Sequence, residues 1–560
     1  MQCVRLDEGL FVASQVQVTD LPALHQLGIR SVICNRPDGE APDQPSADEI
    51  ATAACAFDIA FSYIPVGSEG LGDERVATFT EALTTLPGPT LAYCRTGNRS
   101  ASLWALSRAG KRPAGDIIAS AKRAGFDVAK LAPRLEAAAP LLQRRDTQHY
   151  DVVIVGAGAG GLSACASLLK RRKSLNLCLV DPATSHYYQP GWTLVGAGVF
   201  KQEVTERSMA SLIPSGVTWE KASVTTFEPE CNRVELDNGR LLTYDALIVA
   251  PGIELDWEAI PGLAETLGRN GVTSNYRFDL APYTWELVRT LRRGRALFTQ
   301  PPMPIKCAGA PQKAMYLSAD HWLRVGALDD IDIEFHTATP ALFGVAAYVP
   351  ALMEYVERYQ ARLNVGSTLT AVNGADRVAT FSRTDATGQT TEHTRRFDLL
   401  HVCPPQKAPD FIRNSPLSNE AGWVDVDQDT LCHLRYANIF ALGDASSTPN
   451  AKTAAAARKQ APVVADNTLA YLEGKPLCAV YDGYGSCPLT VERGKIVLAE
   501  FGYGGKILPT FPRWLLDGKR PSRLAWHLKT EALPRLYWDG MLKGREWLCT
   551  PARRTSRVVG

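Results

Sequence analysis

The chain has 560 residues, 45% of them apolar and 21% charged, and a net charge of +1 at neutral pH. That length exceeds what one hydrophobic core supports and points to about three or four domains. The near-zero charge excludes a general nucleic-acid binder, and thirteen cysteines, odd in number and scattered, do not form a secreted disulfide framework. No apolar run is long enough to span a membrane, and the first seven residues do not open as a signal peptide. The charge is unevenly placed: residues 511–560 carry +7 and the remainder −6.

Residues 1–131 alternate apolar runs with helical stretches, the pattern of a small α/β domain. Strands are expected at 31–35, 61–66 and 90–93, with a helix starting near Ser46. The last strand runs into Cys94-Arg95-Thr96-Gly97-Asn98-Arg99-Ser100, after which a helix begins. A cysteine at such a turn meets backbone N–H groups and the positive end of a helix. Both favour a thiolate, and Arg95 and Arg99 add positive charge. The loop resembles those of cysteine phosphatases and rhodanese-type sulfurtransferases, and the domain resembles the phosphatase-like domain of bacterial beta-lactamase-hydrolase-like proteins. Phosphatases place five residues between the cysteine and the arginine, whereas four separate Cys94 from Arg99. Sulfur transfer is therefore favoured over phosphate hydrolysis, for which only Glu69 and Asp73 offer themselves as general acids. An alanine-rich stretch with Pro133 and Pro140, residues 132–148, reads as a linker.

A β-branched strand at 150–155 then breaks into Gly156-Ala157-Gly158-Ala159-Gly160-Gly161 and a helix from about 162 to 170. Gly156 permits the tight turn, Gly158 lets a pyrophosphate approach, and Gly161 lets helix and strand pack closely. A second apolar run, 175–180, ends at Asp181, placed to take ribose hydroxyls. A dinucleotide is expected here. Strands at 247–249 and 438–442 complete the pattern of a flavoprotein, the latter leading into Gly443-Asp444. The FAD-binding domain is assigned to 149–258 and 406–477, and a second nucleotide-like domain to 259–405. In that second domain the glycine loop for a nicotinamide cofactor is replaced by residues 299–311, rich in proline and containing Cys307. Proline removes N–H donors and blocks the tight turn, so a nicotinamide donor is not expected.

Lys306-Cys307-Ala308-Gly309-Ala310-Pro311-Gln312-Lys313 and the stretch Tyr187-Tyr188-Gln189-Pro190-Gly191-Trp192 closely resemble sulfide:quinone oxidoreductases of the mitochondrial type. So do residues 421–427, 452–456 and Tyr481-Asp482-Gly483-Tyr484-Gly485-Ser486-Cys487-Pro488. The resemblance implies two Rossmann-like domains of the disulfide-reductase flavoprotein type holding non-covalent FAD, with Gly156, Gly158, Gly161, Asp181, Gly443 and Asp444 on the cofactor. It also implies a cysteine pair: one carries sulfur as a persulfide, the other is a thiolate facing FAD, and electrons pass to quinone. Cys307 matches one of the pair. The second is expected directly after the Gly-Asp motif, where this chain has Ala445. Cys403 is the substitute that the sequence offers, with Cys432 a weaker one, and no metal site is expected. His186 and Lys452 are candidates to line the flavin or quinone pocket.

The C-terminal region, 478–560, holds four of the eleven tryptophans in its last fifty residues, mixed with leucine, lysine and arginine. Short amphipathic helices of this composition lie in a membrane interface. Removing the chain after about 510 is therefore expected to leave a folded, yellow, more soluble protein that reduces water-soluble quinone analogues better than lipid-embedded quinone. The expectation is an enzyme, peripheral on the inner, cytoplasmic face of a membrane, that oxidises sulfide with quinone. Sulfur would leave by way of Cys94 to a small thiol or sulfite. A phosphatase fused to a flavin oxidoreductase of other substrate, and a flavin-based sulfide sensor, remain the alternatives.

Overall fold

The alternating runs resolve into parallel sheets whose strand ends carry the chemistry-bearing turns. The structure, a computed structural model, describes residues 3–7, 9–67, 69–112, 114–137, 147–384 and 387–554. The chain divides into two compact units, Met1–Thr147 with Asn238–Leu241, and Gln148–Asp237 with Leu242–Gly560. Of the stretch read as a linker, residues 138–146 lie outside the described residues. Ala132–Ala137 is a helix whose Leu135 is buried in the core of the first unit.

In the first unit a five-stranded sheet runs Cys3–Asp7, Leu10–Ala13, Thr90–Tyr93, Ser31–Cys34, Ala60–Tyr63. Only the outer pair, Cys3–Asp7 with Leu10–Ala13, is antiparallel. The helix Ala47–Cys55 begins where its cap dictates: the Ser46 hydroxyl accepts from the Glu49 amide, and the Glu49 carboxylate accepts from the Ser46 amide. The central strand Thr90–Tyr93 is wholly buried and delivers Cys94 to the turn before the helix Asn98–Ser107. Gly97 has φ +90°, and a Cβ there would sit 2.5 Å from the Phe126 ring, so only glycine fits the turn.

The second unit is built on a sheet ordered Thr218–Glu220, Leu177–Val180, Thr147–Val155, Leu241–Val249, Arg233–Leu236, Val224–Glu228, with Ile439–Ala441 also pairing Leu241–Val249. The helices Ala159–Arg171 and Ala454–Leu472 pack together in its largest core. A second sheet, Val272–Thr273, Leu399–His401, Gly294–Gln300, Ile331–Thr337, Arg362–Val365, is entirely parallel. The helix Ala310–Arg324 follows its central strand and lies under a hairpin, Gly485–Glu492 with Lys495–Phe501. Cys487, Leu489 and Val491 of that hairpin join the second sheet's core.

The C-terminal region differs from the expectation of purely interfacial helices. From 523 to 540 the chain is helical, with two five-residue stretches of wide turns, Leu528–Ala532 and Leu536–Gly540. Tyr537, Trp538, Met541 and Leu542 are buried in the largest core of the second unit, and Arg207 stands 4.4 Å over the Trp538 ring. Glu546 anchors the segment to the helix Ala159–Arg171 through Arg171 at 2.5 Å and Lys170 at 2.9 Å. Trp514, Leu515, Leu524, Trp547 and Leu548 remain exposed. The tail therefore alternates core anchors with an apolar surface, and no helix among the described residues is long and apolar enough to cross a membrane. Truncation after about 510 would strip core side chains. Trp538→Ala should cost about 3–5 kcal/mol of stability by chemical denaturation. Trp514→Ser, at a site 85% exposed, should stay within about 0.5 kcal/mol. Equal losses in the two variants would contradict this division of the tail.

Candidate active site

The three fingerprint glycines do separate jobs. Gly156 has φ +93°, and a Cβ on it would lie 2.5 Å from the Ala250 carbonyl oxygen. A Cβ on Gly161 would collide with the Gly156 carbonyl oxygen, whereas Gly158 has nothing within 4 Å and leaves its space to a ligand. The Asp181 carboxylate accepts from the Ala157 amide at 2.6 Å and the Ala183 amide at 2.8 Å, which fixes it at the end of its strand beside the turn. A cavity of about 1340 Å³ starts at Gly158 and Asp181, passes Ala250, Pro251 and Gly252, and reaches Gly443 and Asp444. The Gly443 amide donates to the Gln460 side chain at 2.7 Å. An open glycine cradle at a helix N-terminus, an oriented acid and a long cleft fit FAD.

His186 lines the same cavity. Its Nδ1–H donates to the Ala157 carbonyl at 3.2 Å, so Nε2 accepts from the Tyr537 hydroxyl at 2.7 Å. Burial pushes its pKa down to about 4, keeping the ring neutral. Lys452 also lines the cavity, donating to the carbonyls of Asp444 at 2.7 Å and Ser446 at 3.1 Å, and lies 4.1 Å over the Trp423 ring. Burial lowers it to about 8. The same burial raises the Asp444 carboxyl, while the charges of Lys452 and Lys306 oppose that rise.

Cys307 lies on the cavity wall. Its φ is +52°, a left-handed conformation that costs a non-glycine residue of order 1–3 kcal/mol and is held here by neighbours. Its amide donates to the Lys452 carbonyl at 2.8 Å, and its carbonyl accepts from the Ala310 amide at 2.7 Å. The sulfur partner is Cys487: the two Sγ atoms are 3.5 Å apart, and Lys313 Nζ lies 3.1 Å from Cys307 Sγ. Gly309 is what lets the hairpin come so close. A Cβ there would lie 2.5 Å from Cys487 Sγ and would collide with Leu489. The hydrogen bond from Cys487 and the ammonium of Lys313 hold the Cys307 thiol well below its usual range, against burial. The same bond and burial push Cys487 up, so the pair is one thiolate and one thiol. Lys529, from the tail helix, is buried near both sulfurs. Burial and repulsion from Lys313 bring it down to about 7.

The sulfur in contact with Cys307 is thus that of Cys487, while Cys403 belongs to a neighbouring cluster against which Cys307 also packs. Cys403 packs with Tyr276, Ile305 and Ala310, and burial pushes its thiol up to about 12. Its sulfur lies 3.8 Å from Gln406 Nε2 and 3.8 Å from the Pro404 carbonyl. Ala445 is fully buried, and the sulfur that meets Cys307 stands on the hairpin. Cys432 is enclosed in the FAD-type core. Cys487 stood inside the stretch 481–488 that carries the resemblance. Its position on an alternating strand, facing a core that also receives the helix after Cys307, is visible only once the hairpin is placed.

In the first unit, Cys94 is buried and its Sγ accepts from the Gly97 amide at 3.1 Å. Arg99 follows on the first turn of the helix, and the Ser100 hydroxyl behind it is buried without a partner. The two sequence candidates for a general acid are bound elsewhere and lie in the open: Glu69 pairs with Arg75, and Asp73 with Arg134 at 2.6 Å.

Residues 150–300 match the family model of the pyridine nucleotide-disulphide oxidoreductases, and residues 3–111 match that of the phosphatase-like domain of beta-lactamase hydrolase-like proteins. A mitochondrial sulfide:quinone oxidoreductase of Dictyostelium discoideum is 41% identical over 397 residues, covering 70% of this chain and 86% of that protein. A beta-lactamase hydrolase-like protein of Agrobacterium fabrum is 34% identical over 130 residues, covering 23% of this chain and 30% of that one. The solved structure of the sulfide:quinone oxidoreductase of Aquifex aeolicus shares the fold at TM-score 0.58 and 18% identity, covering 71% of this chain and 92% of that one. The extent of the Dictyostelium match shows that this chain belongs to the sulfide:quinone oxidoreductase family.

Proposed function

We propose that the protein oxidises sulfide to sulfane sulfur at Cys307 and Cys487, passes two electrons through FAD to a quinone, and relays the sulfur by way of Cys94. The observation that carries this reading is the contact of two sulfurs beside one ammonium, on the wall of the cavity that fits FAD. In the oxidised pair, hydrosulfide attacks one sulfur and breaks the Cys307–Cys487 bond. One cysteine becomes a persulfide, and the other leaves as a thiolate carrying the electron pair. Lys313 stabilises that thiolate when it forms on Cys307. Bound FAD supplies the two-electron transfer from thiolate to quinone. The persulfide then gives its outer sulfur to an acceptor thiol, and the next oxidation restores the pair. The net change is sulfide plus quinone plus acceptor to quinol plus the sulfur-loaded acceptor.

At the other end of the cavity, Phe511, Leu515, Leu516, Leu524 and Leu528 form an apolar wall. That wall suits a lipid-soluble quinone. The neighbouring exposed Trp514 and Leu515, with the basic charge of the tail, suit a peripheral position on a membrane surface. A sulfur acceptor tethered in the same chain gains an effective concentration of the order of millimolar for a short flexible linker. Cys94, held against the Gly97 amide at the head of a helix, has the chemistry to accept sulfur and pass it to a small thiol or sulfite.

Cys487→Ser and Cys307→Ser should each abolish bleaching of the yellow flavin band by sulfide while leaving the flavin bound. Cys403→Ser should bleach normally. A normal rate in Cys487→Ser would overturn the pairing. Beside the hydrogen bond from Cys487, the Lys313 ammonium holds the Cys307 thiol down, so Lys313→Met should move the midpoint of Cys307 alkylation upward by about one pH unit or more, the equivalent of about 1.4 kcal/mol per unit. An unmoved pH profile would show that Lys313 does not hold the thiolate.

A further inference from the structure

In the first unit, three loops converge at the carboxyl ends of three adjacent parallel strands, the usual ligand position of such a sheet. The loop after Thr90–Tyr93 carries Cys94, the loop after Ser31–Cys34 carries Arg36 and Glu40, and the loop after Ala60–Tyr63 carries Val66. A turn of this kind takes phosphate or a sulfonate-bearing sulfur donor when the fork of its arginine is free to grip two oxygens. Here the fork is taken. Arg99 Nη1 and Nη2 donate to the two oxygens of Glu40, at 2.6 and 2.8 Å, and Nη1 also donates to the Val66 carbonyl at 2.8 Å. Arg36, itself buried and tied to Gln15 at 2.7 Å, grips the same carboxylate at 2.9 Å.

We propose that Glu40 is a specificity residue of the Cys94 loop, closing Arg99 against oxyanions so that the loop accepts sulfur from thiol persulfides and not from thiosulfate or phosphate esters. The inference rests on the sulfur-relay reading of Cys94 and names its donor class. Thiosulfate and phosphate each bring three oxygens bearing two negative charges. Those oxygens would have to displace a carboxylate already held by two guanidiniums, or sit beside it as like charge. A thiol persulfide brings no oxygen to the outer sulfur. The Cys94 thiolate attacks that sulfur, the donor's S–S bond breaks, and the donor thiolate leaves while the outer sulfur keeps its proton on Cys94. No electron is gained or lost overall. Glu40 cannot serve instead as the proton donor of a phosphatase near neutral pH: the hydrogen bond from Arg99 and that from Arg36 hold its carboxyl at about 2.

The test uses the full-length protein, incubated separately with glutathione persulfide and with thiosulfate. The sulfur load on the Cys94 peptide is read by mass spectrometry over time, in wild type and in Glu40→Gln. Wild type should load from the persulfide and at least about tenfold more slowly from thiosulfate. Glu40→Gln should gain about tenfold or more in loading from thiosulfate, the loss of one charge-assisted clamp. Equal loading of wild type from both donors, or a folded Glu40→Gln with no gain, overturns the proposal while leaving the relay in place. Loading from neither donor refutes the relay and the proposal with it. Should the variant fail to fold, the wild-type donor ratio decides alone.

Discussion

The contact between Cys307 and Cys487 is the constraint on which the second unit depends. Two sulfurs 180 positions apart meet at 3.5 Å because each is placed by rigid neighbours. Cys307 sits in a left-handed turn between a central parallel strand and the helix Ala310–Arg324, tied to Lys452 through its amide. Cys487 sits on a hairpin that packs over that helix, and only a glycine at 309 leaves room for its sulfur. The proline-rich loop thereby places the Cys307 sulfur on the wall of the cavity that starts at the glycine turn. The buried charge at this spot is stabilised by the hydrogen bond from Cys487 and by the Lys313 ammonium, 3.1 Å from the sulfur.

Electrostatics in the cleft follow from burial acting on closely spaced lysines. Lys313 keeps its charge because the Cys307 sulfur faces it, whereas Lys529 and Lys452 are driven down to about 7 and about 8. The sulfur pair is thus bordered by one fixed cation and by amines whose charge changes near neutral pH. Lys529 reaches the sulfurs from the tail helix, the same segment that buries Tyr537 and Trp538 in the flavin-side core. The tail is consequently part of the site as well as a surface element, which explains why its basic, tryptophan-rich composition admits two readings.

Much of this was legible in the sequence, for definite physical reasons. The spacing of Gly156, Gly158 and Gly161 to Asp181 encodes a local strand–turn–helix–strand, and each glycine meets the steric demand expected of it. The loop after the strand Thr90–Tyr93 was legible for the same reason. What was not legible depends on contacts distant in sequence. Cys403 is the substitute that the sequence offers because its stretch resembles the family's segment near the flavin, whereas the sulfur in contact with Cys307 comes from a hairpin further along. The grip of Glu40 on Arg99, across 59 positions, has no signature in the loop itself. In the tail, amphipathic composition could not tell Trp538, buried under Arg207, from Trp514, open to solvent.

The most direct test of the sulfur pair is to oxidise the purified full-length protein, digest it without reduction, and identify the cross-linked peptides by mass. The account predicts a peptide containing Cys307 joined to one containing Cys487 by a disulfide before sulfide is added, and the two peptides separated after it, one of them trapped by an alkylating agent as a persulfide. A Cys307 peptide joined to Cys403, or one that never joins Cys487, would contradict it.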